Sequence, residues 1–474
     1  MNTPPWNTYA PSPMGERPGQ VAMFLMLMCL GCSRGASRAE RANVLLISID
    51  SLRADHLGCY GYERDTSPTI DRLAAEGVRY TGAVSSTSWT LPAHASMFTG
   101  LPPSAHGCNT AAGLHTGHRT LAETLREQGY DTAGFWSGPH LHPAFRLDQG
   151  FDTYVNCASH DFERPRSKRA ALAHDDVTGP KILAEVELWL EGYERNEERP
   201  FFLFVHMWDV HYHYLPPSPY DTLFDPEYTG PIDGRRPGPE GLIPRDLEHL
   251  IALYDGEIAW TDRHVQGILD ALERHAVLDE TLILLTSDHG EEFYEHGRFG
   301  HRKTLYEESI AVPLILRYPG RIPAGSQVEG VVSVTDIPAT ILDFLGLEPI
   351  PDTGGRSLLP LLDDSDQPRE MLAISELFRQ RTHWLSVRSE GWKILVNHDT
   401  GSVDGWWNLQ ADPDVTHNLA KGPLSPDVER TVKEARRKLL LLAEQHQRQP
   451  EEERSLPDEL EETLRELGYV GEDE

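Results

Sequence analysis

The sequence predicts an α/β fold in which a doubly wound, mostly parallel sheet is followed by a smaller α+β domain. Up to Gly346, short β-rich runs without polar interruptions alternate with amphipathic helical segments, and this alternation is typical of parallel sheets covered by helices. Beyond Gly346 the pattern changes to short strand-like runs separated by polar turns. These later runs predict a small antiparallel sheet with a covering helix.

Three runs of the first part predict strands that are buried on both faces. They are Asn43–Ile49, Phe201–His206 and Thr281–Ser287. Helical periodicity predicts the segments Thr69–Glu76, Arg119–Gln128 and Glu248–His275. The strands predicted in the second part are Met371–Ser375, Trp384–Arg388 and Trp392–Val396, and the covering helix runs from Ser425 to Gln445.

The amino terminus predicts an export signal over residues 1–32. Its apolar run, Val21–Leu30, is shorter than the ~20 residues that cross a bilayer, and Gly31 and Cys32 close it. An apolar core that ends in this way resembles a bacterial lipoprotein signal. The resemblance implies an exported chain, either periplasmic or anchored to a membrane through a lipid on Cys32. A plain secretory signal and a chain that is not exported stay open as alternatives.

The composition is that of a globular protein, with 39% hydrophobic and 25% charged residues. We expect a larger α/β domain over residues 42–346 and a smaller α+β domain with an acidic tail over residues 347–474. The net charge of −31 argues against a nucleic-acid partner, because the phosphate backbone would repel this chain. The excess of acids is expected to form a solvated surface.

Polar residues follow the three predicted strands of the larger domain. Asp50 follows the first strand, His211 lies shortly after the second, and Asp288 and His289 follow the third. Chemistry in parallel sheets sits at the carboxyl ends of the strands. Together with the hydroxyl of Thr90, two carboxylates and an imidazole would bind one divalent cation. The oxygen donors suit calcium or magnesium, and the imidazole and hydroxyl shift the preference toward manganese or zinc.

Five segments in order along the chain resemble the sulfatase family of the alkaline phosphatase superfamily. They are Asn43–Gly61, Thr87–Gly100, Ser287–Gly297, Tyr306–Pro313 and Leu464–Val470. The resemblance covers roughly residues 43 to 470. It implies an alkaline-phosphatase-like fold, with Asp50, Thr90, Asp288 and His289 as the ligands of the metal ion.

The chain departs from the sulfatase pattern at the reacting group. Thr90 stands where the family has the Cys or Ser that is converted to formylglycine, and His94 stands where it has an Arg. Ser51 replaces a second Asp, and no lysine precedes His140. This combination resembles the branch of lipoteichoic acid synthase and phosphoglycerol transferase. There a threonine is both the nucleophile and a ligand of a single metal ion, which the resemblance suggests is manganese.

The resemblance also implies roles for residues around Thr90. His211 and His301 are the candidates that protonate the leaving group. The anionic substrate needs further contacts, especially cations. The candidate residues for these contacts are His94, His140, Arg302 and Lys303. His206 and Trp89 are expected to be packing side chains.

Threonine chemistry favours phosphate esters over sulfate esters. A formylglycine hydrate has two hydroxyls and expels sulfate by collapsing to the aldehyde, whereas threonine has one hydroxyl and lacks this exit. A covalent ester on Thr90 must therefore be opened by a second attack, which is established chemistry at phosphorus. We expect a hydrolase or transferase that acts on a glycan or lipid head group. A sulfatase without formylglycine and an inactive protein that binds an anionic sugar are the alternatives.

Overall fold

The structure is a computed structural model, and an eight-stranded sheet forms its centre. The described residues are 41–108, 112–158, 177–193, 199–235, 242–363, 372–379, 382–389, 391–412, 415–419, 425–446 and 456–466. The export signal predicted over residues 1–32, with Cys32, lies outside these ranges. Within them, none of the helices combines the length and the apolar character that a membrane crossing requires.

The strand order of the large sheet is β10-β2-β9-β6-β1-β5-β3-β4. Only β9 runs antiparallel to its neighbours, so the predicted mostly parallel sheet is confirmed. The strands are β1 Asn43–Ile49, β2 Val78–Val84, β3 Asp131–Trp136, β4 Thr153–Asn156, β5 Phe201–Met207, β6 Thr281–Ser287, β9 Leu314–Arg317 and β10 Ser326–Ser333. A two-stranded ribbon lies beside the sheet and consists of β7 Glu292–Phe293 and β8 Phe299–Gly300.

Helices cover both faces of the sheet. The α-helices are Pro68–Glu76, Thr90–Thr99, Pro103–His106, Leu121–Glu127, Gly179–Gly192, Pro244–Arg274, Glu307–Ile310, Ile337–Phe344, Pro426–His446 and Asp458–Glu466. Strand β1 has a different apolar cluster on each side. Val44 and Leu46 belong to one cluster, and Leu45, Ile47 and Ile49 belong to the other. This burial explains why the sequence of β1 is continuously apolar.

The smaller α+β unit is also present. Its antiparallel sheet has four strands, which are β11 Ala373–Arg379, β12 Thr382–Arg388, β13 Trp392–Asn397 and β14 Val403–Asn408. The helix Pro426–His446 packs on this sheet through Val432 and Leu439. Strand β11 abuts the large domain, because the Ser375 hydroxyl donates to the Ser85 carbonyl at 2.6 Å and the Glu376 amide to the Ser86 carbonyl at 2.7 Å. The small sheet thus supports the loop that leads to Thr90.

The central position of β1 makes a direct test of the packing. Leu46 is fully buried, whereas Leu188 is 63% exposed. Leu46→Ala is expected to lower the free energy of unfolding by about 2–5 kcal/mol, because it removes apolar contacts and leaves a cavity. The matched change Leu188→Ala should stay within about 0.5 kcal/mol of the wild type. Denaturant unfolding measures both values, and equal effects would contradict the packing described here.

Candidate active site

Strands β6, β1 and β5 are neighbours in the sheet, and each delivers polar residues to the same edge. Asp50 follows β1, Asp288 follows β6, and His206 lies one residue before the end of β5. The Asp50 amide donates to the Met207 carbonyl at 2.9 Å and so extends the pairing of β1 with β5. The carboxyl ends of three parallel strands therefore place these side chains together.

Thr90 is the first residue of the helix Thr90–Thr99, in which every residue is buried. Its hydroxyl donates to Asp50 Oδ2 at 3.4 Å and lies 3.3 Å from His289 Nε2. A helix N-terminus carries partial positive charge and unpaired amide groups. The helix N-terminus therefore favours negative charge on the Thr90 oxygen, whereas the neighbouring Asp50 carboxylate opposes it.

The donor atoms of Asp50, Asp288 and His289 lie within 4.8 Å of one another. His289 Nε2 is 3.4 Å from Asp288 Oδ2 and 3.7 Å from Asp50 Oδ1. His289 Nδ1 lies 2.8 Å from the Gly290 carbonyl. Because a carbonyl only accepts, the neutral ring carries its hydrogen on Nδ1 and presents the Nε2 lone pair to the carboxylates. The structure thus brings together the four predicted ligands, including Thr90, and their binding of a metal stays a prediction.

The electrostatics of the cluster fit a divalent cation. Burial raises the pKa of Asp50 to about 6, although His289, Ser51 and Thr90 lower it. Asp288 Oδ2 is buried and has no hydrogen-bond partner among the described residues. Within the same residues, neither carboxylate forms an ion pair with Lys or Arg. Oxygen donors with one imidazole suit manganese, magnesium, calcium or zinc.

Two further histidines pack against this cluster. His94 Nε2 lies 3.0 Å from the Ser48 hydroxyl, and Nδ1 lies 2.9 Å from the Thr90 carbonyl and 3.8 Å from Asp288 Oδ2. His206 Nε2 is 3.4 Å from Asp50 Oδ2. Burial lowers the pKa of His94 to about 3 and that of His206 to about 4. His94 was predicted to bind substrate; its ring is fully buried, as is that of His140, and the predicted role stays a prediction.

Trp89 organises the other side of the nucleophile. The Arg302 guanidinium lies 4.6 Å from the centre of the Trp89 ring, and His140 meets the same ring edge-on at 5.7 Å. The Arg302 amide donates to the Ser88 carbonyl at 2.9 Å. Burial lowers the pKa of His140 well below its usual range. The structure therefore places two predicted substrate-binding residues against the ring of Trp89, the residue before Thr90, which was expected to be a packing side chain.

The two predicted acid–base histidines lie next to His289. The ring of His301 is 4.4 Å from that of His289 and 5.0 Å from that of His211. His211 stacks on Trp208 at 3.8 Å. Burial, followed by the effect of His289, lowers the pKa of His301 well below its usual range.

Lys303 differs from its neighbour Arg302 in the contact it makes. Its ammonium group donates to the Phe299 carbonyl at 2.8 Å, within the same loop. The structure thus gives a local partner to the Lys303 cation. The predicted role of Lys303 in substrate binding stays a prediction.

The comparison with protein families decides the identity of the fold. The sulfatase family model matches residues 42–347. The chain belongs to the sulfatase family. A second model, the carboxyl-terminal region of N-sulphoglucosamine sulphohydrolase, matches residues 294–444. The alkaline-phosphatase-like fold that the resemblance implied is thereby confirmed.

Curated and solved relatives agree with this assignment. The chain is 24% identical to N-acetylglucosamine-6-O-sulfatase of Bacteroides thetaiotaomicron, over 86% of this chain and 88% of the relative. It is 26% identical to human arylsulfatase K, over 84% of this chain and 83% of the relative. The crystal structure of phosphonate monoester hydrolase from Agrobacterium radiobacter matches with a TM-score of 0.69 and 26% identity, over 86% of this chain and 97% of that one.

The raised pKa of Asp50 predicts how the stability of this sulfatase-family protein depends on pH when chelator keeps metal ions away from it. The folded state holds the proton of Asp50 up to about pH 6, whereas an unfolded Asp loses it near pH 4. Stability that is present below pH 4 is therefore lost as the pH rises through 6, by about 3 kcal/mol from this group. The Asp50→Asn variant lacks this loss, so the two proteins should diverge between pH 4 and pH 7.

Urea unfolding in chelator, at about pH 4 and about pH 7, measures the difference between the two proteins in the free energy of unfolding. Added manganese provides the control, because it should restore the stability of the wild type at pH 7 but not that of Asp50→Asn. Parallel pH dependences of the two proteins would contradict the burial of an unpaired charge at Asp50.

Proposed function

We propose that this sulfatase-family chain is a metal-dependent hydrolase of anionic esters in which Thr90 is the nucleophile. One observation carries the proposal. The Thr90 oxygen lies 3.4 Å from Asp50 Oδ2 and 3.3 Å from His289 Nε2, at a helix N-terminus. A hydroxyl in this position can attack as Asp50 Oδ2 takes its proton, and the helix N-terminus favours the negative charge that develops on it.

The residues around the Thr90 hydroxyl have separate proposed roles. Asp50, Asp288, His289 and Thr90 would hold a divalent cation, which lowers the pKa of a bound hydroxyl and stabilises the oxygens of the ester when it is present. Asp50 Oδ2 receives the hydrogen bond of Thr90 and can accept its proton. The Nδ1 contact of His289 with Gly290 fixes the orientation of that ring.

The substrate contacts would come from the Trp89 side. Arg302 is placed over the Trp89 ring and supplies the positive charge that an anionic ester requires. The buried imidazole of His140 stays neutral near pH 7, since burial lowers its pKa, and can hydrogen-bond an ester oxygen. Because the Bacteroides relative is a sulfatase of N-acetylglucosamine, a glycan ester is the first substrate class to test, ahead of a lipid head group.

His211 is the better candidate for the general acid. The lowered pKa of His301 leaves that ring neutral near pH 7, so it is a poor source of a proton for the leaving group. His301 Nδ1 lies 3.3 Å from Glu291 Oε1, and the carboxylate fixes the hydrogen on Nδ1. The Nε2 lone pair of His301 can then accept a hydrogen bond from an attacking water and orient it.

The single hydroxyl of Thr90 favours phosphorus as the reacting centre. A phosphoryl ester on threonine can be opened by water at phosphorus. The similarity to a phosphonate monoester hydrolase at 26% identity supports this choice. Transfer to an alcohol instead of water is part of the same proposal, since both acceptors attack from the same side.

Sulfate ester hydrolysis is the second candidate. The family and two curated relatives, N-acetylglucosamine-6-O-sulfatase and arylsulfatase K, support it. The release of sulfate or phosphate from matched nitrophenyl and sugar esters separates the candidates. Each ester is assayed with manganese, calcium, magnesium and zinc. An export signal over residues 1–32, of the lipoprotein type, completes the proposal and predicts a mature chain that begins at Cys32.

Thr90→Ala is expected to lower turnover by about a thousandfold or more, because it removes the attacking oxygen. Thr90→Ser retains a hydroxyl and should retain part of the activity. Thr99→Ala, at the other end of the same helix, is the matched control. Mass spectrometry of the wild type quenched during turnover should find the transferred group on Thr90. Unchanged turnover in Thr90→Ala would refute the nucleophile.

The proposed acid has a separate signature. His211→Ala should lower turnover by about a hundredfold or more for esters with poor leaving groups. Esters with nitrophenolate leaving groups need little protonation, so their turnover should fall far less. A uniform loss across a series of leaving groups would assign His211 to binding instead of proton transfer.

A further inference from the structure

A second group of donor atoms adjoins the proposed metal ligands. The side chains of His94, His206 and Asp288 are fully buried, and one donor atom from each lies within 4.8 Å of the other two. His94 comes from the helix that Thr90 begins, His206 from β5, and Asp288 from the end of β6. The proposed nucleophile and its ligands do not require His94 or His206, so their convergence on Asp288 has another cause.

His206 presents a lone pair toward this group. Its Nδ1 lies 2.9 Å from the Ser137 carbonyl, which only accepts, so the neutral ring carries its hydrogen there. Nε2 has no hydrogen-bond partner among the described residues, and Asp50 Oδ2 is 3.4 Å away. A nitrogen lone pair and a carboxylate oxygen that face each other in a dry core repel unless a proton or a metal cation lies between or beside them.

Asp288 has one oxygen committed and one available. Oδ1 accepts hydrogen bonds from the Ser51 amide at 3.2 Å and from the His289 amide at 2.9 Å. Oδ2 accepts none from the described residues. It lies 3.4 Å from His289 Nε2 and 3.8 Å from His94 Nδ1. Asp288 Oδ2 therefore lies between the first set of donor atoms and the second, and it can be a ligand in both.

Hydrogen-bonding groups also fix the ring of His94 beside Asp288. Its Nε2 is anchored by the Ser48 hydroxyl at 3.0 Å. Its Nδ1 contacts the Thr90 carbonyl at 2.9 Å, which in an α-helix also receives the amide of the residue four positions later, here that of His94 itself. Binding of a metal by Nδ1 requires the ring hydrogen to move to Nε2, where the Ser48 hydroxyl can accept it, and it leaves that carbonyl with its main-chain partner.

We propose that His94, His206 and Asp288 form a second divalent cation site, which shares the Asp288 carboxylate with the first. Two imidazoles and one carboxylate are a donor set of zinc and of other late first-row ions. This set differs from the oxygen-rich first group, so the second site prefers zinc over calcium or magnesium. The proposal goes beyond the proposed function and rests on it for the first cation, which the expected metal count includes.

The second cation would add positive charge behind the nucleophile. One divalent ion already balances the two buried carboxylates, so a second ion beyond Asp288 would fix the orientation of that carboxylate and favour negative charge on the Thr90 oxygen. Ions that share a carboxylate commonly lie about 3.5–4 Å apart. The replacement of the family arginine by His94 fits this arrangement, because a neutral imidazole binds a metal whereas a guanidinium excludes one.

Metal stoichiometry tests the proposal. The full chain, stripped with chelator, is loaded with zinc, desalted and analysed for bound metal without any substrate. The wild type should retain two equivalents and His206→Gln one. The matched control is His106→Gln, since His106 is a buried histidine whose nitrogens already contact Ser96 Oγ at 3.1 Å and the Cys108 amide at 3.0 Å. It should retain two.

One equivalent in the folded wild type overturns the proposal, as do two equivalents in His206→Gln. Thermal unfolding confirms that each variant is folded. The absorption of bound cobalt gives a second readout. Cobalt at a site with two imidazoles should show a visible absorption in the wild type, and His94→Gln should lose it. An inactive protein with two ions would refute the proposed function and leave this inference standing, whereas an active protein with one ion would do the reverse.

Discussion

Two buried carboxylates at the ends of neighbouring strands constrain the rest of this site. Asp50 and Asp288 are fully buried, and within the described residues neither has a lysine or arginine partner. Charges removed from water in this way are costly unless they are paired. The surrounding groups respond to this cost: Ser51 and Thr90 donate hydrogen bonds to Asp50, and His289 directs a lone pair toward both acids. Such an arrangement is stable when a cation completes it.

The departures from the sulfatase pattern follow the same electrostatic logic. A guanidinium at the position of His94 would carry its own positive charge into the core, whereas the imidazole found there is neutral. A permanent cation, Arg302, lies instead over the ring of Trp89. In the proposed function this charge faces the substrate and not the interior. Metal ions bound at Asp50 and Asp288 would compensate for the charge that the interior lost.

The sequence predicted the parts of the fold whose pattern is uninterrupted. Strands β1 and β6 have the predicted limits because their residues are continuously apolar and buried on both faces. Strand β2 includes the polar residues Arg79 and Thr81, and its pattern did not distinguish it from a loop. Asp50 and Asp288 could be predicted as site residues because each directly follows an uninterrupted apolar run, whose end marks the end of a strand. His206 lies inside an apolar run, where the sequence cannot tell a metal ligand from a packed histidine. The proposal that it is a ligand comes from the position of its ring beside Asp288.

A threonine nucleophile also determines where water must act. Because the proposed Thr90 ester would have no internal exit, water would have to attack the central atom opposite Thr90, on the side from which the first leaving group departed. The histidine that protonates the leaving group is then placed to activate that water, since the same face is used twice in reverse protonation states. The rings of His211 and His301 lie 5.0 Å apart, and burial lowers the pKa of His301 well below its usual range. His301 is therefore a poor proton donor, and the proposed roles leave proton transfer in both steps to His211 and the orientation of water to His301.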